Sequence, residues 1–167
     1  MNDLKLIVMT DRDGTLLDHH SYSYEAALPM LDKLQEHHIA VIPNTSKTFF
    51  EVQQLRKELE LNTPFIVENG AAVYIPKQFF EHAPAECELV DGYWRKSFSR
   101  ERQYWLALID QHKKAFINAF KGFSEMTTNE LSLATGLSLE DAEMANKRQF
   151  SEPLQWLGSD SQKQLFS

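Results

Sequence analysis

The chain has 167 residues with a formal net charge of -7, and 43% of its residues are hydrophobic. That length suits one domain, or one small domain plus part of another, and the hydrophobic share is enough for a packed core. The acidic balance argues against a general binder of nucleic-acid backbone, and no apolar run approaches the roughly 18 residues expected of a membrane span. The N-terminal Met1-Asn2-Asp3-Leu4-Lys5 lacks the basic region and long apolar stretch of a secretory signal, so a cytoplasmic location is expected. Cys87 is the single cysteine, which excludes an intrachain disulfide and a cysteine-rich zinc site.

The first element is the apolar run Lys5-Leu6-Ile7-Val8-Met9-Thr10, read as a fully buried strand. It stops at Asp11-Arg12-Asp13-Gly14-Thr15. Side chains alternate along a strand, so Asp11 and Asp13 leave its C-terminal end on the same side, and Gly14 lets the backbone turn beneath them. Two carboxylates converging there suit a hard cation and a phosphate. Helical spacing follows in Ala27, Met30, Leu31 and Leu34, with Pro29 in the first turn. Ile39-Ala40-Val41-Ile42-Pro43 is then a short buried strand ending in Asn44-Thr45-Ser46-Lys47. Strand, helix and strand with short joints imply a right-handed parallel crossover, which delivers Thr45 to the sheet edge that carries Asp11.

Thr48-Phe49-Phe50-Glu51 has capping-box spacing and opens a helix to about Leu61 with Phe49, Val52, Leu55 and Leu59 inward. Its N-terminus, beside Thr45 and Lys47, is expected to attract a phosphate through free backbone N–H groups. Pro64 to Val67 is the third strand, Glu68-Asn69-Gly70 a turn, and Ala71 to Ile75 a returning hairpin strand. From about Gln78 the texture changes, and Phe79 to Glu88 reads as a linker. Tyr93 to Phe98 is a strand, and Ser99 an N-cap for a helix to about Lys114. Phe116 to Phe123 is ambiguous between helix end and strand. Thr127 and Ser138 cap two short helices separated by Gly136, Arg148 to Trp156 reads as a strand bent at Pro153, and Ser159 caps a last helical turn.

Asp-x-Asp-Gly-Thr after an apolar strand resembles the first motif of the haloacid dehalogenase superfamily. Asn44-Thr45-Ser46-Lys47-Thr48, Pro64 to Ala71, the Met126 to Leu137 stretch, and Ala142-x-x-Ala145-x-x-Arg148-x-x-Ser151-Glu152-Pro153 narrow the resemblance to its mannosyl-3-phosphoglycerate phosphatase branch. The resemblance implies an α/β fold, with a Rossmann-like core at about 1–78 and part of an inserted α/β cap at about 79–167. It also implies Mg2+ dependence and hydrolysis of a sugar-phosphoglycerate through an aspartyl-phosphate. In that scheme Asp11 is the nucleophile and a metal ligand. Asp13 is the general acid and base, its carbonyl completing part of the metal shell. Thr45 and Lys47 hold phosphate, and Arg148, Ser151 and Glu152 bind the glycerate carboxylate and sugar hydroxyls. Arg12 departs from the family, which more often has an apolar residue there.

The branch also uses a lysine and a Gly-Asp loop from core strands that follow the cap. No Gly-Asp pair occurs in this sequence, and nothing after Trp156 forms such strands. The chain is therefore expected to end within the cap and to turn over little. Alternative readings are a phosphatase for another sugar phosphate, such as sucrose phosphate or glucosyl-phosphoglycerate, and a non-catalytic module that self-associates through an exposed sheet edge.

Overall fold

The computed structural model describes residues 6–11, 14–18 and 23–166, and the chain divides into two compact units, Met1–Phe98 and Ser99–Ser167. In the first unit β1 (Ile7–Thr10) and β2 (Ala40–Pro43) are parallel, from Ile7 opposite Ala40 to Thr10 opposite Pro43. Helix α1 (Leu28–Glu36) lies between them in sequence, with Pro29 in its first turn as the spacing requires. A parallel bridge between Asn44 and Ile66 places β3 (Phe65–Val67) beside β2. The chain returns antiparallel as β4 (Ala72–Pro76), which pairs on its other side with β6 (Tyr93–Ser97), and β5 (Glu88–Val90) forms the far edge. The strand order is thus β1-β2-β3-β4-β6-β5.

Helix α2 (Phe49–Glu58) has the expected capping box: Thr48 Oγ1 accepts the Glu51 amide and a Glu51 carboxylate oxygen accepts the Thr48 amide. Its residues Phe49, Val52 and Leu55 are buried, as is its C-cap Leu59. Phe49, Phe65, Tyr74 and Tyr93 form one ring cluster with centroids 4.6–6.3 Å apart. Arg56 is buried against it, its guanidinium carbon 4.4 Å from the Phe65 ring centre, donating to the Thr63 carbonyl (2.7 Å) and the Tyr93 hydroxyl (3.2 Å). Burial pulls this guanidinium below the usual arginine range, which the Tyr93 hydroxyl partly offsets.

Two expectations change here. β1 is not fully buried: Ile7 and Met9, which share one face of the strand, are 49% and 53% exposed. α1 likewise buries none of its residues, and the adjacent core is built from Leu16, Leu17, Leu55 and Leu59. The supposed linker ends in β5, which pairs with β6 across Asp91-Gly92, both at positive φ (49° and 83°). Asp-Gly between apolar pairs is the usual signal for a two-residue hairpin, and it overrides the mixed composition upstream. β6 pairs along its whole length with β4, and the compact units divide at Phe98 and Ser99.

In the second unit α3 (Arg102–Lys113) is followed by β7 (Phe120–Gly122), a 3-10 turn at Phe123–Glu125, α4 (Thr128–Thr135) and α5 (Leu139–Asn146). β8 (Leu154–Trp156) pairs antiparallel with β7, and α6 (Asp160–Phe166) follows. Thr127 and Ser138 cap α4 and α5 as expected. Ser99 does not cap α3: its N-cap is Glu101, while the Ser99 hydroxyl donates to the carbonyls of Arg100 and Phe150. The strand read from Arg148 is limited to Leu154–Trp156, the residues before it being irregular.

One surface group of this unit carries a pH prediction. The Glu130 carboxyl is pulled from the usual 4.5 down to about 2, first by the Lys121 ammonium at 2.7 Å and then by the Thr127 amide and hydroxyl. With the folded pKa below the unfolded one, its contribution to stability is complete above the ordinary carboxylate range and is lost as pH falls toward 2. An NMR titration of the Glu130 carboxyl is expected to show a midpoint about 2 that rises in Lys121→Ala. A wild-type midpoint in the ordinary glutamate range would mean that the ion pair and cap do not persist in solution.

Candidate active site

The C-terminal ends of β1, β2 and β3 open into a cavity of about 500 Å³ lined by Met9, Thr10, Asp11, Asn44, Thr45, Ser46, Asn69 and Gly70. The parallel register that sets Thr10 opposite Pro43 brings Asp11 and Thr45 into this one wall. Thr45 is buried, and its Oγ1 accepts the Lys47 amide at 3.2 Å, which leaves the hydroxyl hydrogen to donate. Its own amide donates to the Ile66 carbonyl at 3.2 Å, and its carbonyl accepts the Asn69 amide at 3.0 Å, so the β3 segment holds this residue through both of its backbone groups.

Lys47 and the α2 N-terminus are arranged differently from the sequence expectation. The Lys47 ammonium lies 3.7 Å from a Glu51 carboxylate oxygen, and Lys47 is absent from the cavity wall among the described residues. The same Glu51 occupies the Thr48 amide, so the helix start already holds an internal carboxylate where an anion was expected to dock. Asp13 and Arg12 lie outside the described residues.

No cluster of three or more histidine, cysteine, aspartate or glutamate side chains occurs among the described residues. The cavity nevertheless offers hard oxygen donors in its lining residues Asp11 and Asn44. A small dication such as Mg2+ is commonly bound by one or two carboxylates with water and substrate phosphate oxygens, so the donor chemistry fits. No lysine or arginine side chain lines the cavity among the described residues.

The remaining sequence candidates sit in the second unit. Arg148 Nη1 donates to Ser151 Oγ at 3.0 Å. Glu152, with its side chain 1% exposed, is engaged at both oxygens: Oε2 takes Arg102 Nε at 2.6 Å, and Oε1 takes the Ser124 amide and hydroxyl at 2.8 Å each. Arg102 continues to the carbonyl (2.6 Å) and side-chain oxygen (3.0 Å) of Asn146. A Cβ at Gly122 would stand 2.5 Å from Glu152 Oε1, so the carboxylate reaches the Ser124 amide only because residue 122 is a glycine.

Sequence reasoning did not single out Asn44 or Asn69 as site residues. By sequence Asn69 is a turn residue, and the signal for a site role is its place after the third strand, at the edge where open α/β sheets bind ligands.

Comparison with known proteins agrees with this edge geometry. The family profile described as haloacid dehalogenase-like hydrolase matches residues 8–151. A glucosyl-3-phosphoglycerate/mannosyl-3-phosphoglycerate phosphatase of Persephonella marina is 38% identical over 148 residues, covering 89% of this chain and 54% of that protein. Its namesake from Methanococcoides burtonii is 36% identical over 149 residues, covering 89% and 55%. The chain thus spans about half the length of the curated relatives it matches. Among solved structures, a haloacid dehalogenase-like hydrolase from B. subtilis superposes with TM-score 0.51 at 18% identity, over 94% of this chain and 55% of that one. An Asp-bearing first strand, a Thr-bearing second strand and a profile match across most of the sequence place the chain in the haloacid dehalogenase-like hydrolase family.

Proposed function

We propose that this chain belongs to a phosphatase that hydrolyses a sugar-phosphoglycerate, of the mannosyl or glucosyl type, through an aspartyl-phosphate. The observation that carries the reading is the meeting of Asp11 and Thr45 at one cavity on the parallel sheet edge. The identity to two phosphatases of that name supports the substrate class. In this reading Met1–Phe98 is the catalytic core and Ser99–Ser167 belongs to the cap.

A carboxylate oxygen of Asp11 attacks phosphorus and forms the acyl-phosphate bond, while the bond from phosphorus to the ester oxygen breaks. Asp13 protonates the departing alkoxide, then takes a proton from the water that attacks the acyl phosphate. Free phosphate leaves and Asp11 is regenerated. The Thr45 hydroxyl donates to a phosphoryl oxygen. Asp11 and Asp13 would hold Mg2+, which offsets the phosphate charge when bound. Lys47 is assigned to the outer phosphate environment, with its charge shared with Glu51. Arg148 and Ser151 are assigned to the glycerate carboxylate and sugar. Glu152 is assigned to holding their loop, because its oxygens are already engaged.

This form is expected to turn over near background. Its sequence contains no Gly-Asp pair, and no lysine lines the cavity among the described residues. Each missing charge-stabilising group costs roughly 10²–10³ in rate. A second reading, a non-catalytic module that associates with itself, is favoured by the half-exposed Ile7 and Met9 of β1 and by its unpaired edge among the described residues. Beryllium fluoride with Mg2+ separates the two. A bound fluoroberyllate seen by fluorine NMR on a monomer supports retained aspartyl-phosphate chemistry. No bound signal with concentration-dependent association supports the module, and ordinary steady-state turnover refutes the expected loss of rate.

A further inference from the structure

We propose that Asn69 selects the alcohol side of the phosphoester. Its side-chain amide donates to an oxygen one or two carbons from the ester oxygen, as in a hydroxy-acid or polyol phosphate. The inference rests on the phosphatase reading above and adds to it a specificity residue within the first unit.

Three observations carry it. The first is position: Asp11, Thr45 and Asn69 follow the ends of β1, β2 and β3, and neighbouring strands lie about 4.8 Å apart. A phosphoryl group held between the first two ends therefore has its leaving alcohol within reach of the third. The second is rigidity. The amides of Glu68, Asn69 and Gly70 donate to the carbonyls of Lys47 (2.9 Å), Thr45 (3.0 Å) and Val67 (3.1 Å), so the turn and the Thr45 loop form one stitched wall.

The third is chemistry. Glu68, Asn69 and Gly70 all have positive φ (49°, 60° and 88°), a conformation costly for most residues and tolerated best by glycine and asparagine. With the Asn69 backbone amide spent on Thr45 and Gly70 carrying no side chain, the Asn69 side-chain amide is the polar group this turn presents to the cavity. That amide is exposed and makes no hydrogen bond with any described residue. A neutral donor beside Asp11 suits an anionic or hydroxyl oxygen without competing for the metal-binding carboxylates.

The test is calorimetric titration of the 167-residue chain, with Mg2+ present, by 3-phosphoglycerate and separately by inorganic phosphate. Asn69→Gly keeps the left-handed backbone and deletes the amide. It is expected to weaken 3-phosphoglycerate by about tenfold, the loss of one charge-assisted hydrogen bond, and to leave inorganic phosphate within about twofold. Equal weakening of both ligands, or of neither, overturns the role of Asn69 while the phosphatase reading stands. Failure of the wild-type chain to bind either ligand removes the phosphatase reading itself, and Asn69 selection with it.

Discussion

Glu152→Ala is expected to destabilise the Ser99–Ser167 unit by about 3–5 kcal/mol, the cost of breaking a buried ion pair from one side. The substitution leaves the Arg102 guanidinium without its carboxylate and the Ser124 amide and hydroxyl without their acceptor, in a site where the Glu152 side chain is 1% exposed. Glu152→Gln keeps an oxygen for Ser124 and removes the charge opposite Arg102, so an intermediate loss is expected. Urea unfolding followed by tryptophan fluorescence reads both variants, since Trp105 and Trp156 lie in this unit. If Glu152→Ala unfolds at the wild-type midpoint, the network is not formed in solution. Glu152 then returns to the set of substrate-facing residues that its motif suggests.

The second large effect is at the phosphoryl site. Asp11→Asn is expected to weaken fluoroberyllate binding by at least about 100-fold, because a neutral amide oxygen replaces the anionic one that completes the phosphate mimic. Asp11 is exposed at the cavity and contributes nothing to the buried core, so the unfolding midpoint is expected to stay close to wild type. Thr45→Ala removes only one hydroxyl donor, and a loss of about tenfold is expected. Wild-type affinity in Asp11→Asn would mean that the carboxylate at the end of β1 is not the nucleophile, whatever the family.

What the sequence discloses is what neighbouring residues decide. The caps at Thr48, Thr127 and Ser138 were legible because both partners lie within three residues. The β3–β4 hairpin and the β1–α1–β2 crossover were legible from short joints between apolar runs. β5 is marked by Asp91-Gly92, but the mixed composition of Phe79 to Glu88 obscures it. Glu51, the cap partner of Thr48, also takes Lys47, a competition that the i,i+4 spacing permits. The partners of Glu152 were not legible: Arg102 is 50 residues away, and only the fold shows that the carboxylate is fully engaged. The exposure of β1 was equally hidden, since burial depends on what lies beside a strand and not on its own apolarity.

That last feature bears on how any affinity measured at this edge is to be understood. The carboxylate proposed to receive phosphorus is carried by a strand paired on one side among the described residues, whereas β4 is paired on both sides. Amide protons of β1 should therefore exchange with solvent well before those of β4. A phosphate bound at Asp11 must also hold that strand in place, so its apparent dissociation constant is the intrinsic one divided by the fraction of molecules in which β1 is docked.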